Sequence, residues 1–261
     1  MNKTLLISAM FIAAAFVTQS AQAGDIKIRA GVGSSTYALG GDYTAAKSSY
    51  SPVSLGLSYA ADNGFYVDLG ASGGTGTHDG WATANSPTTI CGTTSCGNVA
   101  SPSESFQRAD VSLIVGGSKL NQNNGIAGTL YVGLKTGSTV LGSKSTGLRW
   151  TEETFDSSGV VFGGGVSFPI ASGRAGSVGV NAGLGLMSAN WKDTTGFNMK
   201  ADAAAGVSFG LNYTYPITSY LGAVVDYKIN SYSYKFTLAS GNTFMVNESI
   251  GTLGASAYLK F

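Results

Sequence analysis

Charged side chains are scarce in this chain of 261 residues. Asp, Glu, Lys and Arg make up 11 % of it, less than half of the roughly 25 % that is usual in soluble domains. The charges also balance: there are 15 cations and 14 acids, and Lys3 is the only charged residue among the first 23. Without that segment 14 cations face 14 acids, so the charge gives no reason to expect nucleic acid as a partner.

Long apolar runs are missing beyond residue 23, where none approaches the roughly 18 residues that a transmembrane helix needs. Glycine is abundant instead, with 38 residues, and aromatic residues reach 11 %. Low charge, much glycine and no helical span together favour a membrane-spanning β-barrel, whose outer face meets lipid while its inner face carries small and polar groups.

Residues 1–23 are the exception to this pattern. Lys3 precedes an apolar stretch from Leu5 to Val17, and the segment closes on small residues at Ala21 and Ala23. This is the layout of a secretory signal peptide with its cleavage site. The sequence therefore predicts an exported protein whose mature chain, residues 24–261, is one barrel domain.

Reactive side chains are few, namely one histidine, His78, and two cysteines, Cys91 and Cys96. An exported protein passes through an oxidising compartment, so we expect a disulfide between the two cysteines. Gly92 lets the short loop between them turn tightly. A metal site is the alternative, but it would need two further ligands, and we expect neither a metal nor a cofactor.

Period-two alternation of apolar residues recurs along the mature chain and predicts ten strands. The segments are 25–32, 53–60, 65–71, 106–116, 129–137, 159–168, 177–187, 200–215, 220–230 and a last one that begins near Val246. The connections between them alternate between short and long, as the periplasmic turns and external loops of outer-membrane barrels do. The predicted fold is an all-β, antiparallel, up-and-down transmembrane barrel of about ten strands, with eight or twelve as alternatives.

The C-terminal strand carries the clearest family resemblance. Apolar residues stand at every second position from Leu253 through Leu259 to Phe261, and the chain ends on that aromatic ring. This resembles the assembly signal of bacterial outer-membrane barrels. Residues 210–228 are similar to the last hairpins of the opacity-type and OmpA-like, porin-like superfamily. The resemblance implies a Gram-negative outer membrane, periplasmic termini, contact with lipid and lipopolysaccharide, and the barrel-assembly machinery as a partner.

Charged residues fall on the inner face of the predicted strands. By alternation these are Lys27, Arg29, Asp68, Arg108, Asp110, Lys135, Asp202, Asp226, Lys228 and Lys260. Two interpretations remain: a network of ion pairs that fills a narrow lumen, or the charged lining of a small pore. The mixture of signs favours pairing over an ion-selective ring. We expect Asp226 to pair with Lys27, Arg29 or Lys260, with Asp68 contributing from across the lumen.

Glycines also recur at inward positions, where large groups such as Tyr66 and Tyr131 either cover them or leave a channel open. The function predicted from sequence is non-enzymatic: a barrel whose long loops serve surface interaction or envelope integrity. The alternative is a narrow porin-like channel for passive diffusion of small solutes. Among enzymes, the ten-stranded omptin-type proteases use an Asp–His pair, which His78 and Asp79 offer only superficially because no second acidic pair matches.

Overall fold

The computed structural model describes residues 24–41, 45–79, 105–143, 151–171, 175–193, 196, 198–238 and 240–261. The predicted signal peptide (1–23) and the predicted disulfide (Cys91 and Cys96) lie outside these residues. No helix in the described part of the chain is long and apolar enough to cross a membrane, which says nothing about β-barrel membrane proteins.

The described chain forms one antiparallel sheet of eleven strand segments. They are β1 (Gly24–Gly41), β2 (Ala45–Tyr50), β3 (Val53–Ala61), β4 (Phe65–Asp79), β5 (Ser105–Leu120), β6 (Ala127–Ser143), β7 (Thr151–Pro169), β8 (Ser177–Asp193), β9 (Asn198–Pro216), β10 (Leu221–Thr237) and β11 (Thr243–Lys260). Apart from β2 and β3, each strand pairs with its neighbours along the chain, and β11 pairs with β1. The sheet is therefore closed into an up-and-down barrel.

The segments β2 and β3 occupy a single position in the ring, because both pair with β1 and β4. The register with β1 is the same on both sides of the break: Ser35 faces Tyr50, and Val32 faces Val53. Between them stands Pro52, which has no N–H for the ladder, although its carbonyl still accepts a bond of 2.9 Å from the Gly33 amide. Eleven segments thus make a barrel of ten strand positions, which confirms the predicted fold class.

The strands extend much further toward the loop end than the sequence predicted. The first was expected to end at Val32 but continues to Gly41, and the expected connections 138–158, 188–199 and 231–245 consist mainly of strand. A strand of 17 residues is roughly 55–60 Å long, or roughly 40 Å along the barrel axis at a tilt of about 45°. Since the apolar band of such barrels is about 25 Å tall, the barrel projects well beyond the bilayer.

The outer surface is divided into two zones. In the zone nearer the termini, large apolar side chains point outward and are exposed, including Leu130 (74 %), Val32 (64 %) and Leu186 (62 %). Nearer the loop end the outward face is polar, as on β10, where Ser231, Ser233 and Lys235 are exposed. Exposed apolar side chains in this number favour lipid rather than water around the first zone. We call it the lipid belt.

The inner face is divided in the opposite sense. Along β10, Asp226 and Lys228 point inward at the height of the lipid belt, whereas Tyr232, Tyr234 and Phe236 point inward beyond it and are buried. The barrel is polar inside where lipid surrounds it and apolar inside where water surrounds it. The predicted alternation fails beyond the belt because apolar and polar residues exchange faces there, which makes the sequence resemble a loop.

Candidate functional site in the barrel lumen

A cluster of buried aromatic and aliphatic side chains fills the lumen at the loop end. Rings from different strands meet there: Phe155 on β7 lies 5.1 Å from Tyr234 on β10, and Tyr37 on β1 lies 5.2 Å from Phe106 on β5. We call this cluster the outer plug. Its members are Tyr37, Leu39, Ala46, Tyr50, Phe106, Leu141, Phe155, Met187, Ala189, Trp191, Ala201, Ala204, Tyr232, Tyr234, Phe236, Phe244, Val246 and Ile250, none more than 8 % exposed.

Arg108 crosses the lumen directly beneath the plug. It contacts both carboxylate oxygens of Asp110, at 2.9 and 2.7 Å, and it also donates to Thr139 and to Glu248 on the distant strand β11. The other oxygen of Glu248 accepts a bond of 3.1 Å from the Tyr234 hydroxyl. The side chains of Arg108 and Glu248 are 1 % and 0 % exposed. Each charge therefore has a partner, as burial away from water requires.

Water access increases from the plug toward the termini. Within the belt, Arg29 binds Asp68, and these side chains are 37 % and 25 % exposed. At the terminal rim, Lys260 binds Asp25 at 2.7 Å, with 37 % and 47 % exposure. Since these side chains point into the barrel, the lumen is wet from the terminal end up to the charges beneath the plug. There it holds a cavity of about 520 Å³.

Arg29, one of the three cations predicted to pair with Asp226, binds a different acid. Arg29 reaches over the intervening strand β3 to Asp68 on β4, and it does so at Gly56, where a Cβ atom would lie 3.0 Å from the guanidinium. Among the described residues, no ion pair within 4.0 Å includes Asp226. The expectation of an ion pair between Asp226 and Lys27, Arg29 or Lys260 was therefore wrong. Lys27 instead lies over the Tyr258 ring, 5.6 Å from its centroid.

Asp202 differs most in position from the sequence prediction. Expected on the inner face, it is exposed and accepts a hydrogen bond from Thr237 at 2.5 Å. The register of β9 shifts against both of its neighbours near this point. Ala201 and Ala204 are consequently both buried, and this bulge turns Asp202 outward. The other nine charged residues that were predicted to face inward either alternate with the outward apolar residues of the lipid belt or belong to the ion pairs and hydrogen bonds in the lumen that are described above.

Inward glycines make room for large side chains that lie along the barrel wall. The Tyr131 hydroxyl lies across two strands, within 2.7 Å of where Cβ atoms on Gly163 and Gly183 would stand. Tyr66 covers Gly116, Tyr258 covers Gly222, and Tyr232 covers Gly206 in the same way. The tyrosine side chains therefore cover the inward glycines and lie against the barrel wall.

The predicted assembly residues lie at the terminal rim of the seam between β11 and β1. Leu259 faces Ile28 across the seam and is 45 % exposed on the lipid side. Phe261 exchanges two backbone hydrogen bonds with Ile26, of 2.9 and 3.2 Å, and its side chain is 71 % exposed. The last residue thus closes the ladder and adds an aromatic ring to the membrane-facing rim.

His78 lies on β4, which extends beyond residue 71, where the third predicted strand was expected to end. Its side chain is 2 % exposed, and Nε2 lies 3.1 Å from the Gly142 carbonyl. This histidine thus belongs to the buried wall of the outer end. A general base needs contact with its substrate, which burial of this ring disfavours.

Two buried acids that sequence reasoning missed are Glu153 and Glu248. Glu153 lies in the segment 138–158, which had been interpreted as a loop, whereas Glu248 lies in the predicted last strand, where alternation with its exposed neighbours was the available signal. Glu153 lies beyond the lipid belt and accepts a bond of 3.0 Å from the Trp191 indole. Among described residues its other oxygen, Oε1, has no hydrogen-bond partner. Burial raises the pKa of Glu153 well above its ordinary value, and the nearby charge of Asp193 adds to this.

A pH-dependent loss of stability follows from this raised pKa. Folding holds the Glu153 proton more tightly than the unfolded chain does, so stability should fall as the pH rises from about 4 through the folded pKa. Glu153→Gln keeps an acceptor for Trp191 and removes the charge. We expect its urea unfolding midpoint in detergent to exceed that of the wild type at pH 7.5 and to match it at pH 4. Asp156→Asn, at a partly exposed site on the same strand, should not reproduce the difference, and equal pH slopes for Glu153→Gln and wild type would contradict the argument.

No protein-family model and no curated protein matches this chain. Several solved structures do match it. The outer membrane protease OmpT from Escherichia coli is similar over 93 % of this chain and 99 % of its own, with 12 % identity and a TM-score of 0.61. The chain has the fold of a bacterial outer-membrane β-barrel. Weaker matches are the translocator domain of the autotransporter NalP from Neisseria meningitidis (9 % identity, 97 % and 94 % coverage, TM-score 0.46) and a major outer membrane protein from Thermus thermophilus (14 %, 92 % and 100 %, 0.41).

The likeness to OmpT confirms the predicted fold of an outer-membrane barrel, and the lipid belt agrees with a place in a membrane. At 12 % identity the likeness to OmpT shows the fold alone. Because such barrels have short periplasmic turns and long external loops, we expect the short turns and both termini to face the periplasm and the outer plug to face the exterior.

Proposed function

We propose that the protein is a non-enzymatic, closed outer-membrane barrel that presents its outer end for surface interaction or serves envelope integrity. The observation that carries this proposal is the outer plug, in which rings from β1, β5, β7 and β10 meet across the lumen. A path for solutes would have to open this dry cluster and the Arg108–Glu248 pair beneath it. The alternative of a diffusion channel is therefore disfavoured.

The outer end also has the character of a stable display platform. Its outward face is polar and its inside is packed like the core of a soluble domain, so it needs no lipid to stay folded. Such a platform holds the loop ends of β4, β5, β6 and β7 at fixed positions outside the membrane. We propose outer-membrane lipid and lipopolysaccharide as partners of the belt, and the barrel-assembly machinery as the partner during insertion.

Conductance in a planar bilayer tests whether the barrel is closed. We expect no stable open level for the wild type. Truncating two rings of the plug, by Phe106→Ala together with Tyr234→Ala, should produce one. The matched control is Tyr227→Ala on β10, whose ring is 42 % exposed on the lipid side, and it should stay closed. A steady wild-type conductance would reject the closed barrel and favour the channel.

The surface role needs a separate measurement. Cells that produce the full-length chain are compared with cells whose chain lacks residues 84–101, at equal amounts of heat-modifiable barrel. We expect the deletion to reduce binding of the cells to a panel of glycans and extracellular glycoproteins while leaving detergent sensitivity unchanged. Equal binding together with increased detergent sensitivity would favour the envelope role over the display role.

A further inference from the structure

The cavity beneath the outer plug contains two lysines that lack an acidic partner. Lys135 on β6 and Lys228 on β10 both line it, and among the described residues neither belongs to an ion pair within 4.0 Å. Lys228 is exposed although it points into the barrel, so its side chain is accessible from the cavity that it lines. We call this volume of about 520 Å³ the lumen chamber.

The acids that line the chamber are largely used by other cations. Asp110 gives both of its oxygens to Arg108, and Asp68 binds Arg29. Asp226 remains, two residues from Lys228 on the same face of β10, and its carboxylate lies against Gly254 on β11. Two lysines and one acid of the chamber therefore lack a close partner of opposite charge, although the surrounding charges balance overall because Arg108 pairs with both Asp110 and Glu248.

The two lysines lie against the same part of the lumen chamber. Lys135 crosses the lumen to β10, where its Nζ lies 3.3 Å from the Tyr232 hydroxyl and 5.2 Å from the ring centroid. Tyr232 and Lys228 share one face of β10, four residues apart. The charge of Lys135 acts on Lys228, as do the opposite charges of Asp110, Asp226 and Asp68. Like charges inside a narrow barrel repel more strongly than in bulk water. A bound anion would remove that repulsion.

The neighbouring groups suit an oxyanion. Besides the lysines, the chamber is lined by the hydroxyl-bearing residues Tyr131, Ser208, Tyr232 and Thr252 and by the amide of Asn181. An ammonium group offers three donors, and hydroxyl and amide groups add more, so a phosphate with several acceptor oxygens would find a partner for each. A chamber of this size falls in the range of about 300–1,000 Å³ that is common for ligand sites.

We propose that the lumen chamber binds a small phosphate-bearing anion that enters from the periplasmic end. Entry from outside would have to pass the plug, whereas the inward side chains of Arg29, Asp25 and Lys260 are open to water. Lys228 and Lys135 provide the charge, and Tyr232 holds Lys135 in place. The outer-membrane barrel thereby carries a receptor site on its periplasmic side, in addition to its surface role.

The test follows the two lysines by NMR. The purified full chain, in an uncharged detergent at constant ionic strength, is labelled with ¹³C-methyl groups on its lysines, which keep their charge. It is then titrated with inorganic phosphate in one arm and with sub-micellar dihexanoyl phosphatidic acid in the other. We expect the signals of Lys228 and Lys135 to shift with a Kd of about 1 mM or tighter. A tighter response to phosphatidic acid identifies a lipid headgroup as the source, and a tighter response to phosphate identifies the free ion.

Variants separate the site from a general effect of charge. Lys228→Gln and Lys135→Gln should each weaken binding about tenfold or more. Lys192→Gln, which removes an outward lysine paired with Asp156 at 2.9 Å, should leave binding unchanged. Heat-modifiable mobility confirms that each variant is folded, and either inward variant suffices if the other fails to assemble. Static Lys228 and Lys135 signals in both arms, or wild-type binding by a folded Lys228→Gln barrel, would overturn the proposal.

Discussion

Replacing Arg108 with methionine should destabilise the barrel by about 3–5 kcal/mol, the usual cost of removing one partner of a buried ion pair. The change leaves Glu248, which is 0 % exposed, and Asp110 without their shared cation. Methionine keeps much of the side-chain length, so the loss reports on charge more than on packing. Urea unfolding in detergent, followed by tryptophan fluorescence or by the heat-modifiable band, measures it.

Two comparisons show whether burial is the cause. Lys192→Met breaks the ion pair with Asp156, whose side chains are 47 % and 38 % exposed, and should cost no more than about 1 kcal/mol. Adding Glu248→Gln to Arg108→Met removes the stranded carboxylate and should restore part of the lost stability. If the Arg108 and Lys192 variants unfold at the same urea concentration, water reaches the Arg108–Glu248 pair itself and the pair is not buried as the structure has it.

The sequence predicted the belt half of this barrel well for a simple reason. Where lipid lies outside, every second residue must be apolar, and that rule places Val225, Tyr227 and Ile229 outward and Asp226 and Lys228 inward. The terminal strand obeys the same rule through to Phe261. Closure of β11 on β1 follows as well, because an open strand edge is untenable in lipid.

The outer half could not be predicted in the same way. There the outside is water, so serine and lysine alternate with aromatic residues, as in Ser231 to Phe236, and this pattern resembles a loop with scattered rings. The ion pairs were also hidden, because they depend on which side chains cross the lumen. Arg29 reaches Asp68 through the space that Gly56 leaves, and no residue spacing along the chain predicts this pairing. The bulge that turns Asp202 outward adds a residue without any glycine or proline to mark it.

The opposite arrangement of the two halves has one physical cause. A closed sheet has two faces, and the solvent outside determines which face is apolar. Within the belt the apolar face turns to lipid, so the inside is left to polar groups and water. Beyond the belt the apolar face turns inward, and its rings fill the lumen. The lumen is thereby closed by side chains of the barrel wall itself, since every aromatic ring of the plug belongs to a strand.

Deleting Phe261 should reduce the amount of inserted, heat-modifiable barrel more than any other single-residue change at the terminal rim. The backbone of Phe261 exchanges two hydrogen bonds with Ile26 and thus completes the seam where the first and last strands meet. The ring itself is 71 % exposed toward lipid, so its loss creates no cavity and removes little packing inside the barrel. We therefore expect the defect in insertion and closure, with a smaller change in the stability of barrels that do assemble.

Phe65→Ala is the matched control, because it removes a 43 % exposed ring from the same rim and leaves the seam intact. Phe261→Ala separates the two contributions of the last residue, since it keeps the backbone bonds and removes the ring. If recognition of the terminal aromatic governs assembly, Phe261→Ala should behave like the deletion. If seam closure governs it, Phe261→Ala should resemble Phe65→Ala. Insertion of the deletion variant at wild-type levels, measured in cells at low expression, would contradict both roles of Phe261.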